Sequence, residues 1–330
     1  MKPRIVYMGT PEFAVAPLEA LIKNNFDVVG IVTVPDKPSG RGLKMNESDV
    51  KKYAVSATLP EKGVQLMQPV SLKDPLFIEQ LQSLRADLFI VVAFRMLPKV
   101  VWSMPAMGTF NLHGSLLPQY RGAAPINWAI IKGEKVTGVT TFLIDEQIDT
   151  GNILLQRECA IGERETIGTL YDRLMELGAG LVVETVTGLA TGTLHPHPQQ
   201  GPVKEAPKLT KETGHIQWAM QNTSPDSTAT LIDHLVRGLS PYPAATATIT
   251  NGQKTFDFKL FEVAVVKEKS AYAPKEEPGT ILSDSKTYLH VTCADGSIIS
   301  LTDIQMAGKK RMLIKEFLMG FRNIETYKFI

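Results

Sequence analysis

The stretch R-I-V-Y-M-G-T-P-E-F-A, residues 4–14, contains an apolar run, a turn with glycine and proline, and the start of an amphipathic segment that continues to Lys23. This order predicts a strand, a tight turn and a helix. A second apolar run, V-V-G-I-V-T-V from Val28, predicts the next strand. Strands that alternate with helices are typical of an α/β fold with a mostly parallel sheet, and this opening is Rossmann-like.

The turn after the first strand contains one glycine, Gly9. The dinucleotide-binding fingerprint G-x-G-x-x-G needs glycines at three fixed positions, so we expect no nicotinamide or flavin cofactor. Gly9 is expected to serve the tight turn between strand and helix, which needs no ligand.

Later apolar runs extend the same domain. Runs that begin at Leu88 and Thr109 predict buried strands, and A-P-I-N-W-A-I-I predicts a helix. Residues 138–145 and 152–159 predict a hairpin that closes the sheet, and residues 166–189 predict a long final helix.

The composition changes near residue 190, where H-P-H-P-Q-Q-G-P-V-K-E-A-P-K follows without periodicity. Such proline-rich stretches are typical of linkers. With 330 residues the chain suits two domains. We therefore expect a first domain over residues 1–190, a linker over 191–208 and a second domain over 209–330. Short β-rich runs between turn clusters predict a small β-barrel in the second domain.

Composition excludes several classes of protein. The net charge of +1 gives no overall attraction to nucleic acid, so any such contact must be local. Cys159 and Cys293 lie far apart and the histidines are scattered, which disfavours disulfides and metal sites. Because residues 4–8 are already a predicted strand, we expect no signal peptide, and apolar runs such as L-F-I-V-V-A-F from Leu88 are too short to span a bilayer. We expect a soluble protein of the cytoplasm with no metal.

The run N-L-H-G-S-L-L-P-Q-Y-R-G-A-A-P begins at Asn111, inside a predicted strand. Because side chains alternate across a strand, Asn111 and His113 point to the same face. Gly114 and Pro118 end the strand, so the pair lies at its carboxyl edge, where open α/β sheets bind ligands. A strand histidine taken alone is more often a satisfied core residue.

A second polar motif, D-T-G from Asp149, falls in the turn of the predicted hairpin. Taken alone, this triplet is most simply a turn in which the aspartate binds nearby backbone. Aspartic proteases also contain D-T-G, but they need two copies in an all-β framework, and this chain has neither.

Taken together, these motifs resemble those of the folate-dependent formyltransferases, and within that family the enzymes that act on methionyl-tRNA. The likeness covers essentially the whole chain. Its motifs are G-T-P-E-F-A from Gly9, P-D-K-P-S-G-R-G from Pro35, the run from Asn111, D-x-x-I-D-T-G from Asp145, T-L-Y-D-R-L from Thr169 and A-G-K-K-R from Ala307.

The resemblance implies formyl transfer from 10-formyltetrahydrofolate, as cosubstrate, to the α-amine of methionyl initiator tRNA. It implies a catalytic triad of Asn111, His113 and Asp149. The Asn111 amide would stabilise the developing oxyanion, and His113 would carry protons. Asp149 would either pair with the cationic form of His113 or orient a water, and the sequence leaves both roles open.

The resemblance also implies two folate-binding loops. One contains Ser115, Leu116, Leu117 and Pro118, whose leucines suit the apolar faces of a pterin and a benzoyl ring. The other contains Arg95, Met96 and Leu97. In this second loop many relatives have A-Y-G-x-x-L-P-K, whereas this chain has A-F-R-M-L-P-K, so its individual contacts stay open.

By the same resemblance, cations on three segments would contact tRNA. A mobile loop would bind at the acceptor end of the tRNA. The second domain resembles an oligonucleotide-binding (OB) barrel. Cations of this domain and of the linker would bind tRNA phosphates, which position the RNA without specifying its sequence. The residues are Lys37, Arg41 and Lys44, then Lys204 and Lys208, then Lys309, Lys310 and Arg311. We expect a monomer without a membrane partner. How initiator tRNA is distinguished is not predicted.

Three other functions fit parts of this pattern. An enzyme that formylates an amino sugar nucleotide would share the triad but lack the tRNA-directed loop and barrel. A hydrolase or dehydrogenase module acting on formylfolate would use water as the acceptor. A catalytically silent RNA-binding protein would have lost the triad, which is intact here.

Overall fold

The computed structural model describes residues 2–39, 44–220, 223–267 and 276–330. The chain forms two compact units, each built from three stretches of sequence. The first unit consists of Met1–Pro125, Val136–Ala160 and Tyr171–Ala206, and the second of Ile126–Lys135, Ile161–Leu170 and Pro207–Ile330.

The first unit alternates strands with helices for most of its length. Its strands are β1 (Arg4–Gly9), β2 (Asp27–Val32), β3 (Lys37–Ser39), β4 (Lys44–Asn46), β5 (Gln65–Met67), β6 (Leu88–Val92), β7 (Thr109–His113), β8 (Arg121–Gly122), β9 (Val136–Leu143), β10 (Ile153–Ala160) and β11 (Glu205–Ala206). Its helices are α1 (Val15–Lys23), α2 (Asp49–Ser56), α3 (Pro75–Ser83) and α4 (Lys99–Trp102). Helix α5 (Pro125–Ile131) lies in the second unit from Ile126 onward, and α6 (Ile167–Thr191) begins in the second unit and belongs to the first from Tyr171.

The central sheet of the first unit has the order β10-β9-β7-β6-β1-β2-β5. The five strands from β7 to β5 are parallel, and β9 and β10 add an antiparallel edge. Every residue of β6 is buried, as expected for a central parallel strand covered on both faces. The predicted Rossmann-like class with a mostly parallel sheet is confirmed.

Gly9 ends β1 where the chain turns towards α1. A Cβ atom at this position would lie 2.6 Å from the Cβ of Ala14, which is closer than real contacts allow. A side chain at this position would therefore clash, so the packing of the turn requires glycine.

Helix α6 is long and apolar enough to cross a membrane by length and composition, with a hydropathy of 1.3. The sequence predicted this helix over residues 166–189, but only shorter apolar runs were considered as membrane spans. Its contacts are those of a core helix. Gly178 packs against Leu112 of β7, and the Thr185 hydroxyl lies 2.8 Å from that of Thr141 on β9. The helix therefore packs in the core, where its apolar residues Leu174, Leu181 and Val182 are buried as well.

The part of the second unit from Pro207 onward forms an antiparallel barrel and contains further α-helices. Its strands are β12 (Ala245–Thr250), β13 (Thr255–Lys267), β14 (Ile281–Ser283), β15 (Leu289–Thr292), β16 (Ile298–Met306), β17 (Met312–Leu313) and β18 (Lys328–Phe329), and its helices are α7 (Thr228–Leu239) and α8 (Ile314–Gly320). The strand order is β14-β15-β16-β13-β12-β18, with β17 paired to β16. The predicted small β-barrel is confirmed.

The barrel is nearly closed by a bridge between Thr280 and Lys328, which joins the two ends of the sheet. Gly279 makes this closure possible. Its φ of 84° is in the left-handed region, and a Cβ atom there would lie 2.1 Å from the carbonyl oxygen of Phe329. Only glycine allows the two backbones to approach this closely.

Candidate active site

His113 is the last residue of β7 and is 6% exposed. Its Nε2 lies 2.8 Å from the carbonyl oxygen of Tyr120. A carbonyl can only accept a hydrogen bond, so Nε2 carries the proton. In the neutral imidazole the lone pair is therefore on Nδ1, and this tautomer is fixed by the backbone.

Asp149 faces the other side of the imidazole. Its Oδ2 lies 3.7 Å from Nδ1 of His113, a distance that suits an ion pair but is too long for a hydrogen bond. The same oxygen accepts a hydrogen bond of 2.9 Å from the Gly122 backbone N–H. Asp149 has φ of 55°, a left-handed conformation that aspartate tolerates better than most residues.

Asn111 lies two residues before His113 on β7, in register with Val91 of β6 and Phe142 of β9. Its amide oxygen is buried and has no hydrogen-bond partner among the described residues. An unpaired buried oxygen is costly unless a bound molecule supplies a donor. The sheet thus carries an amide oxygen that has no donor in the described part of the chain, two residues before a histidine of defined tautomer on the same strand.

The loop of residues 115–118 is held against the sheet by polar side chains. The Thr140 hydroxyl donates to the Ser115 carbonyl at 2.6 Å and accepts from the Leu117 N–H at 3.2 Å. The Gln156 amide donates to the Leu117 carbonyl at 2.9 Å. These bonds satisfy a buried stretch of loop backbone and fix its shape.

The apolar side chains of this loop pack on the unit itself. Leu117 belongs to a buried cluster with Phe142 and Ile153, and Leu116 packs over Gly138 of β9. Pro118 is buried. Ser115 donates from its hydroxyl to the Gln119 carbonyl at 2.5 Å.

The second loop expected to bind folate follows β6. The Arg95 guanidinium donates to the carbonyls of Pro69 and Val70, at 2.8 and 3.0 Å. Partial burial lowers the pKa of Arg95. Met96 is 74% exposed and Leu97 is 8% exposed. The loop therefore exposes the apolar side chain of Met96, while the Arg95 guanidinium is hydrogen-bonded to backbone carbonyls.

The cations predicted in the first unit have different surroundings. Lys37 is exposed on β3. Arg41 and the side chain of Lys44 lie outside the described residues. Lys204 places its Nζ 5.5 Å from the centre of the Tyr120 ring, which is within reach of a cation–π contact.

In the second unit, Lys208, Lys309 and Lys310 are exposed. Arg311 is also exposed, but it binds two other residues of the barrel. Its guanidinium binds the Asp303 carboxylate at 2.7 Å and stacks over Phe261 at 4.1 Å. The hydrogen bond that the Arg311 guanidinium donates to the Asp303 carboxylate raises the pKa of Arg311.

The structure adds two site residues that the sequence did not indicate, Gln199 and Arg121. Gln199 lies in the stretch expected to be a linker, yet its amide binds the backbone of Asp149 and its oxygen binds Arg121. The proline-rich composition around Gln199 contains no signal for this contact. No group of three potential metal ligands occurs among the described residues.

Both parts of the chain match formyl transferase family models. Residues 3–186 match the formyl transferase model, and residues 208–322 match the formyl transferase C-terminal domain. The methionyl-tRNA formyltransferase of Parabacteroides distasonis is 48% identical, with 98% of this chain and 97% of that protein covered. The chain belongs to the methionyl-tRNA formyltransferase family. The enzyme of that name from Flavobacterium johnsoniae is 47% identical over 97% of this chain and 96% of its own length.

Solved structures at lower identity share the fold. HypX from Aquifex aeolicus has a TM-score of 0.61 at 18% identity, and the alignment covers 98% of this chain but 49% of HypX. WlaRD, a sugar 3N-formyl transferase, has a TM-score of 0.60 at 19% identity and covers 94% of this chain and all of its own length. These likenesses concern the fold alone, and the name of WlaRD gives a sugar as its acceptor.

Proposed function

We propose that this chain transfers the formyl group of 10-formyltetrahydrofolate to the α-amino group of methionyl initiator tRNA in the cytoplasm. One observation carries the proposal. A buried histidine of fixed tautomer lies between a backbone carbonyl and the Asp149 carboxylate, on the strand that also carries the unpaired amide of Asn111.

The chemistry requires an amine to attack a formyl carbon. The α-amine of an amino acid has a pKa of about 7.7 to 8.0, so a useful fraction is neutral near physiological pH. Attack gives the formyl oxygen negative charge and the nitrogen a surplus proton. The Asn111 amide can bind both groups. Its N–H groups can donate to the formyl oxyanion, and its unpaired oxygen can accept from an N–H of the attacking nitrogen.

His113 is the group that moves the proton. Its Nε2 is committed to the Tyr120 carbonyl, so Nδ1 accepts the proton from the amine. The resulting cation faces Asp149 at 3.7 Å. Both side chains are largely buried, so water screens their attraction only weakly. The proton then passes to the departing folate nitrogen.

Folate binding is assigned to the loops of residues 95–97 and 115–118. The donor groups of a folate fit the unpaired Asn111 oxygen, and exposed Met96 offers an apolar surface for a ring. Loop 115–118 is fixed to the sheet before any ligand binds, because Thr140 and Gln156 hold its backbone. A preformed loop loses little conformational entropy on binding.

We assign the acceptor from sequence identity to the relatives rather than from the fold. The sugar 3N-formyl transferase covers 94% of this chain, so the two-unit architecture alone does not distinguish a sugar from a tRNA. Relatives named methionyl-tRNA formyltransferase are 44 to 48% identical over nearly the whole chain. Exposed Lys208, Lys309 and Lys310 of the second unit are available to hold tRNA phosphates.

A panel of acceptors tests this proposal. The protein is given 10-formyltetrahydrofolate with a labelled formyl group and, in separate reactions, methionyl initiator tRNA, an amino sugar nucleotide or water alone. The label should appear on the methionine of the tRNA. Label found on the sugar, or released as formate without any acceptor, would refute the proposed acceptor.

A further inference from the structure

The proline-rich stretch that was expected to be a linker belongs to the first unit up to Ala206, and both of its ends pair with other strands of that unit. His197 forms a bridge with Ile153, with N–O distances of 2.8 and 3.0 Å. Farther on, Glu205 and Ala206 form β11, which pairs in parallel with Arg121 and Gly122 of β8. We call residues 197–206 the strap. The strap contacts the turn of residues 149–151, which carries Asp149.

Gln199 is the strap residue that reaches this turn. Its Nε2 donates to the carbonyls of Asp149 and Gly151, both at 2.9 Å. Its Oε1 accepts from Arg121, at 2.7 Å from Nη2 and 3.2 Å from Nε. Both amide protons and the amide oxygen are used, so the side chain is fixed in one orientation.

The two segments that Gln199 joins meet at the Asp149 carboxylate. Arg121 immediately precedes Gly122, whose N–H binds Asp149 Oδ2. Asp149 itself has a left-handed backbone, with φ of 55°, which a non-glycine residue holds only when its surroundings require it. A Cβ atom at Gly151 would lie 1.7 Å from the Leu143 carbonyl oxygen, so the turn has no room to shift in that direction.

We propose that Gln199 is a positioning residue for formyl transfer. It holds turn 149–151 and strand β8 together, so that the Asp149 carboxylate keeps its place opposite His113. This inference rests on the proposed function, in which Asp149 stabilises the His113 cation. A direct role of Gln199 in folate or tRNA binding is not part of the proposal.

The first test compares Gln199→Ala with Gln200→Ala, because Gln200 is the exposed neighbour in the strap. A misplacement of about 1 Å in a reacting group, caused by a substitution outside the reaction centre, can slow a reaction by about 10- to 100-fold. We expect kcat of the Gln199 variant to fall by that factor, with KM for tRNA unchanged and the Gln200 variant as active as the wild type. Equal kcat in the two variants, or a change in KM alone, would overturn the proposal.

Gln199→Glu separates the two kinds of hydrogen bond that Gln199 makes, donation to turn 149–151 and acceptance from Arg121. Glutamate keeps the shape of the side chain and an acceptor for Arg121, but it loses both donors to the turn. The glutamate variant should therefore lose as much activity as the alanine variant. Wild-type activity in Gln199→Glu would show that donation to the turn is unimportant. This variant also serves where Gln199→Ala does not fold.

A double variant shows whether Gln199 acts through Asp149. If it does, Gln199→Ala should cost nothing further in an Asp149→Asn background. Independent, multiplying losses would contradict the proposal.

Hydrogen exchange gives a readout that needs no activity. The Gly122 amide, which binds Asp149, should exchange faster in both Gln199 variants and at the wild-type rate in Gln200→Ala. Unchanged exchange would overturn the positioning role. A wild type inactive on tRNA would refute the proposed function, and this exchange would still decide the role of Gln199.

Discussion

Replacement of Asp149 by asparagine removes one charge from the site and little else. Asparagine keeps an oxygen that can accept from the Gly122 N–H, but it no longer attracts the His113 cation. Two unit charges 3.7 Å apart attract by about 4.5 kcal/mol at an effective dielectric constant of about 20. Because about 1.4 kcal/mol corresponds to a factor of ten in rate, this attraction bounds the loss at about 10³-fold.

The measurement is a single-turnover formylation of methionyl initiator tRNA with both substrates saturating, so that binding does not limit the rate. Asp145→Asn is the matched control. It makes the same chemical change in the same loop, where the exposed Asp145 carboxylate binds Gln147 and Thr150 instead of facing the histidine.

We expect the Asp149 variant to be slower by about 10²- to 10³-fold and the Asp145 variant to stay within about twofold of the wild type. An Asp149 variant that keeps more than a tenth of the wild-type rate would show that its charge does not stabilise a cation at His113.

Three further predictions concern the scaffold. Gly178→Ala should lower the free energy of unfolding by about 1 to 3 kcal/mol, because its new Cβ would lie 2.8 Å from Leu112 Cδ2. Gly180→Ala, in open space on the same helix, should raise that free energy by up to about 1 kcal/mol, and equal effects in urea unfolding would contradict the packing. Burial lowers the pKa of His234, so the unfolded chain binds more protons and stability should fall as the pH drops below 6.5. His234→Gln should flatten that dependence between pH 8 and pH 5.5, and an unchanged slope would assign it to other groups.

The sequence predicted the elements whose patterns are local. Strand β7 has the predicted bounds, Thr109–His113, because an apolar alternation is followed at once by glycine and proline. Helix α7, Thr228–Leu239, was not predicted, although Ile232 and Val236 recur at helical spacing. That region was interpreted through its β-rich neighbours, whereas the helix packs in one buried cluster with residues of the barrel strands.

Within the site, strand alternation predicted that Asn111 and His113 share a face. The approach of Asp149 to His113 came only from the family resemblance, since a turn motif does not specify its distant partner. The groups that fix these side chains are the Tyr120 carbonyl and the Gly122 N–H, and backbone groups have no sequence signature. Gln199 is 50 residues from Asp149 in the chain, so only the folded structure brings them together.

The central claim is that His113 carries the proton during formyl transfer to methionyl initiator tRNA. The most direct measurement is the single-turnover rate of His113→Ala beside that of His195→Ala, an exposed histidine outside the site. Removal of a general acid–base group should slow the reaction by about 10²- to 10⁴-fold, while the His195 variant keeps the wild-type rate. Similar rates in the two variants would contradict the claim.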